Sequence, residues 1–257
     1  MLNLFAAEFR RNFLEFMRYP AEALLSVIIL VILFYGLFLG ASYVAGPQVE
    51  FGERLDAIVV GYVVWIMALH SLTSVAGELQ KEAQTGPLQQ VFTSIYGPTW
   101  VLVFRTVTDI LLNLLITLAV LFAILILMQR TLEFSPLALV AVGSVLLGSF
   151  GLAFLMGAVA LRYKRVEQLI NLGQFALLFL MVTPFETMEG MGSLVQYFLP
   201  MVAGTGVLRQ ILARGVEVDW NVLALAYCNG IVYALVGLLV FRQTTFSVRR
   251  KGTLGWY

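Results

Sequence analysis

Residues 23–49 read ALLSVIILVILFYGLFLGASYVAGPQV, 27 positions without one charged side chain. The hydrocarbon core of a bilayer is ~30 Å thick and a helix rises ~1.5 Å per residue, so about 20 such residues cross it. Five further uncharged stretches, 57–77, 110–129, 134–161, 168–185 and 221–241, reach or nearly reach that length. The chain is predicted to be an all-α integral membrane protein with six transmembrane helices, forming a single domain over 1–257. Composition agrees: 60% of the residues are hydrophobic and 12% charged, where soluble domains carry about 25% charged residues. One core cannot hide that much apolar surface, so lipid has to act as solvent for part of it. Membrane lipid is thus the first expected partner. A net charge of +1 gives no reason to expect nucleic acid. The single cysteine, Cys228, lies inside the last apolar stretch, where it reads as a small apolar residue. The first apolar run is too long for a cleaved signal and reads as a retained span.

A seventh uncharged run, 190–208, contains Gly190, Gly192, Gly204, Gly206 and Pro200, a poor recipe for a lipid-facing helix. The distribution of basic residues decides whether it spans. With six spans and the N-terminus inside, the inner set is Arg10, Arg11, Arg18, Lys81, Arg105, Arg162, Lys164, Arg165, Arg242, Arg249, Arg250 and Lys251. Arg54, Arg130, Arg209 and Arg214 remain outside, 12 against 4. Seven spans would give 10 against 6. The expectation is therefore a multi-pass protein of the cytoplasmic (inner) membrane with both termini cytoplasmic. Residues 186–219 then form an outer, partly inserted, re-entrant helical hairpin between spans five and six.

At the N-terminus, Leu4, Phe5, Phe9, Phe13, Phe16 and Met17 fall at helical spacing, with Glu8, Arg10, Arg11, Glu15 and Arg18 between them. Residues 1–19 read as an amphipathic interface helix, ended by Tyr19-Pro20. The longest cytoplasmic connection is 78–99. Gly86-Pro87 marks a fresh helix start, after which Leu88, Val91 and Phe92 share one face at i, i+3 and i+4. Such a face is either a docking element for a partner's groove or packs on the chain's own spans or on lipid.

In the order Glu82, Gly86, Leu88, Gln89, Gly97-Pro98 and Trp100, this connection resembles the first cytoplasmic loop of the permease subunits of type-2 ABC exporters, the ABC-2 family. The second cytoplasmic loop, Arg162-Tyr163-Lys164-Arg165, is similar to the Arg-Tyr-Arg-Asp-type loop of that family's lipid and polysaccharide exporters. Thr183-Pro184-Phe185 looks like its Ser-Pro-aromatic ending of span five, and Leu199-Pro200-Met201 with Leu208-Arg209 like its Asn-Pro…Arg hairpin. Pro87, Gln89 and Leu199 stand where the family usually has Thr or Ser, Glu and Asn. The resemblance covers nearly the whole chain.

The resemblance implies a permease paired with a second copy, as a homodimer, and driven by a separate ABC ATPase subunit. The cargo would be amphipathic: a lipid, a lipid-linked glycan or polysaccharide, or a hydrophobic drug. The chain has no Gly-x-x-x-x-Gly-Lys-Ser/Thr phosphate cradle. It is expected to hold no cofactor and perform no catalysis, ATP and Mg residing on the partner. Coupling would fall to Glu82, Gly86, Leu88, Val91 and Phe92, with Arg162, Tyr163, Lys164 and Arg165. Glu82 would pair with a basic residue of the ATPase. Phe34, Tyr35, Phe38, Phe175, Phe179 and Met181 are candidates to face a central pathway, or else face lipid.

Few polar groups fall within the spans. His70 reads as a structural helix-to-helix hydrogen bond, with a proton relay as the alternative. Arg105 and Asp109, one turn apart, are expected to neutralise each other, with Asn113 continuing their stripe. Glu186, Glu189, Glu217 and Asp219 read as a solvated outer rim. Gly143, Gly148, Gly151 and Gly157, with Ser144 and Ser149, suit close helix packing. An ATP-independent secondary carrier or channel is the alternative function, and its demand for buried carboxylates is met only by Asp109. An intramembrane enzyme would need clustered His, Asp, Glu or Ser/Lys groups that the spans lack.

Overall fold

Punctuation in the sequence sets where each helix starts and stops. The computed structural model describes residues 2–45, 52–85, 97–130, 132, 135–163, 166–188, 191–216 and 218–251. Helix α1 is Leu2–Arg18, and Pro20 opens α2, Pro20–Ala45. Helix α3 is Gly52–Thr85. Gly97, at φ 75°, and Pro98 at the first helical position open α4, Pro98–Met128, which closes on Gln129 in the left-handed region. The Ser135 hydroxyl accepts the Leu137 amide at the head of α5, Pro136–Tyr163. Helix α6, Glu167–Val182, stops at Thr183-Pro184 and gives way to a short 3₁₀ turn, Phe185–Thr187. Two short helices follow, α7 Met191–Phe198 and α8 Val202–Leu212. Asp219 accepts the Asn221 amide at 2.9 Å and so caps α9, Trp220–Lys251.

Six of these helices, α2, α3, α4, α5, α6 and α9, are long and apolar enough to cross a membrane. That is the mark of a multi-pass membrane protein. The run read as a seventh stretch forms α7 and α8, joined by a turn in which Met201 takes φ 65°. At 8 and 11 residues both fall well short of the about 20 that a crossing needs. Helix α8 is nonetheless almost wholly buried, packed on α3, α5 and α9.

Helix α3 is the hub of the bundle. In its apolar segment 67% of residues are buried, against 11% in α2 and 11% in α6. Helices α5 and α9 form the most intimate pair, and small residues explain it. A Cβ on Gly151 would lie 2.4 Å from the Tyr233 backbone, and one on Gly237 would lie 2.4 Å from the Gly151 carbonyl oxygen. Backbones approach this closely only where side chains are absent. Below them Phe154 and Phe241 meet edge to face at 5.2 Å, in a core shared with Leu79 and Leu102.

Candidate functional site: a buried arginine beside the connection from α3 to α4

Two turns into α4 stands Arg105, only 4% exposed. The last turns of α3 present Glu78 and Glu82 at i and i+4, hence on one face. From α1 come Glu8, Arg11 and Asn12. Arg105 Nε donates to Glu8 Oε2 at 3.1 Å and Nη1 to Glu82 Oε1 at 2.6 Å, with Glu78 Oε1 2.9 Å from the same nitrogen. Arg11 Nη2 donates to Glu78 at 3.0 Å, and Asn12 Nδ2 to the Thr108 hydroxyl at 2.8 Å. Three carboxylates thus surround one buried guanidinium, and Glu82 Oε2 is left buried without a partner. The arrangement turns the polar face of α1 toward the protein. Its Phe9, Phe13 and Met17 point outward, the reverse of a helix docked in a soluble core.

This corrects the pairing read from sequence. Arg105 is held by α1 and α3, while Asp109 Oδ2 sits 2.8 Å from His70 Nε2 on α3. The helix-to-helix role expected of His70 is therefore filled, by a carboxylate one helix away. Both clusters border a cavity of about 550 Å³, with Ser74 and Asn113 also in its wall. An adjoining cleft of about 740 Å³ shares His70, Lys81 and Asn113 and extends between α2 and α3, past Leu30 and Ile66. Among the described residues no group of His, Cys, Asp and Glu is arranged to hold a metal ion. The chemistry on offer is ion pairing and a carboxylate–imidazole contact at the edge of a cavity with polar groups in its wall.

Of the coupling residues, Glu82 is thus turned inward to Arg105. Gly86, Leu88, Val91 and Phe92 lie outside the described residues, as do Lys164 and Arg165. Arg162 lies in the last turn of α5 with its guanidinium 5.7 Å from the centre of the exposed Tyr163 ring. The aromatic set does not form one surface. Phe34 is core, against Tyr62 at 5.1 Å and Phe38 at 6.3 Å. The Tyr35 hydroxyl donates to the Leu127 carbonyl at 3.4 Å, tying α2 to α4. Phe175 and Phe179 project outward from α6, whereas Met181 is fully buried and accepts the Thr205 hydroxyl at 3.3 Å.

A second buried arginine was hidden among the charges assigned to the outer side. Arg209 on α8 donates to the Ala57 carbonyl at 3.1 Å, the Thr183 carbonyl at 3.0 Å, Glu186 at 3.1 Å and the Met181 carbonyl. One side chain so fastens α3, α6 and α8 together. Glu186, read as part of a solvated rim, has its side chain 5% exposed and also bonds Arg214 at 3.2 Å. Asp219, read the same way, is exposed and also caps α9. The signal was present: Arg209 is the only charge in an otherwise uncharged α8. Neither a family model nor a curated protein matches this chain.

Proposed function

We propose that the chain is the membrane-spanning permease subunit of an ATP-driven ABC exporter, working as a homodimer with a separate ATPase. It moves an amphipathic cargo across the cytoplasmic membrane. The observation that carries this reading is the continuity of α3. Its 34 residues reach ~51 Å at ~1.5 Å per residue, well beyond a ~30 Å hydrocarbon core. The far end runs straight into the connection at 86–96. A push there travels along the most buried of the six membrane-length helices and, through Glu78, Glu82 and Arg105, into α1 and α4 together. The inward polar face of α1 leaves Phe9, Phe13 and Met17 for the inner membrane interface, and buried α8 serves as the inserted arm of the outer hairpin. Thin burial of α2 and α6 leaves a face for the second copy around a shared pathway.

Photocrosslinkers at Leu88 and Phe92, in the native membrane, test the docking. The expected product is an adduct with a soluble protein that carries a Gly-Lys-Ser/Thr phosphate loop. Adducts with lipid or with the chain itself alone would overturn it.

One observation favours a second reading, a proton- or ion-coupled carrier: the His70–Asp109 pair beside the 550 Å³ cavity. Carboxylates within spans mark relays in such carriers. On that reading Asp109→Asn abolishes transport driven by a proton gradient, without ATP.

A further inference from the structure

We propose that the cleft between the start of α4 and the end of α9 binds a phosphate group, of the kind borne by an acidic lipid or free in solution. The cleft has a volume of about 610 Å³ and is lined by Thr99, Arg242, Gln243, Thr245 and Arg249, with Leu239 and Phe246 at its apolar edge. Among the described residues its wall contains two guanidinium groups and no carboxylate, so its field favours an anion.

Spacing along α9 makes this one site. Arg242, Thr245 and Arg249 follow at i, i+3 and i+7, which places all three on the same helix face. Thr245 is 5% exposed and its hydroxyl oxygen is buried with no hydrogen-bond partner. A buried hydroxyl without a partner is costly, and an oxygen-rich anion in the cleft would supply one. Across the cleft lies the amino end of α4, a 31-residue helix whose cap, Gly97, brings no side-chain hydrogen bond. Its first amides and its dipole favour negative charge at that point. Tetrahedral phosphate, with three charged acceptor oxygens, suits two arginine forks, a hydroxyl and helix amides better than a planar carboxylate does.

Position favours the lipid-borne form. The cleft sits where one membrane-length helix begins, at Pro98, and another ends, at Arg250. Headgroup phosphates lie at that depth, and Leu239 and Phe246 continue the wall toward where acyl chains would run. None of this depends on the chain being driven by ATP.

The test uses the purified full chain in neutral detergent with phosphatidylglycerol as probe, read by native mass spectrometry and by the shift in melting temperature. Replacing both arginines (R242Q with R249Q) should weaken lipid retention by on the order of tenfold. Thr245→Val should weaken it by roughly threefold and Thr245→Ser should restore it. Arg250→Gln, the same substitution outside the cleft but removing one charge where the double variant removes two, should stay within about twofold of the parent. Thr245→Val and Thr245→Ser keep the test decisive should the double variant fail to fold. Displacement of the lipid by millimolar inorganic phosphate would assign the site to the phosphate group itself, and retention against it to the lipid headgroup. Either supports phosphate recognition. Equal losses for Arg250→Gln and the double variant, or no loss in Thr245→Val, would overturn the proposal.

Discussion

Arg105 holds Glu8, Glu78 and Glu82 within 3.1 Å, so deleting its charge leaves two buried carboxylates, Glu8 and Glu82, and the partly exposed Glu78 facing one another. Breaking a buried pair from one side costs about 3–5 kcal/mol. Arg105→Met is therefore expected to lower the detergent melting temperature strongly. A midpoint unchanged from the parent would mean that the cluster does not hold α1. Glu82→Lys fails by the same route, which makes it a poor probe of ATPase docking. Phe92 and Leu88 are the better positions. At the opposite cluster Glu186→Gln removes the charge facing both Arg209 and Arg214, for an expected loss of roughly 1–3 kcal/mol in denaturant or thermal unfolding. These residues were visible in the sequence, but their partners were not. Spacing along α4 offers Arg105 only Asp109, because partners on other helices are set by how α1 and α3 dock. Arg209 was counted as one outer charge for the same reason.

Between elements, the α5–α9 contact rests on absent side chains. Gly237→Val would force a branched side chain into the Gly151 backbone, and overpacking of this kind costs about 1–3 kcal/mol or more. Gly36→Val on α2 meets nothing within 4 Å and should leave the melting temperature nearly unchanged. Equal effects of the two would refute the close contact. This layer was largely legible. Six long uncharged runs announce six long helices, and the glycines of α5 announce its packing. Gly and Pro in 190–208 announce a broken segment. Hidden from the sequence was the depth of α8, where Gly204 admits Ser144 and Val145 to its surface more closely than a side chain would allow.

For the whole molecule, the uneven burial of its helices is the guide. Helices α2 and α6 are held by few neighbours, which fits a second copy on that side. In a Cys228→Ser background, Ile32→Cys and Phe179→Cys should each give a crosslinked dimer in native membranes. Leu139→Cys on α5, equally exposed, should not. Dimers from α5 alone would move the interface. The sequence could not orient the aromatic residues because both lipid and a pathway accept them.

The most direct test is cargo movement in proteoliposomes, comparing the chain alone with the chain joined to any ATPase captured with it from its own membrane. The account predicts no flux from the chain alone, and flux that requires ATP and ceases when Leu88 and Phe92 are both replaced by alanine. Full flux from the chain alone, indifferent to ATP and sensitive to Asp109→Asn, would contradict it.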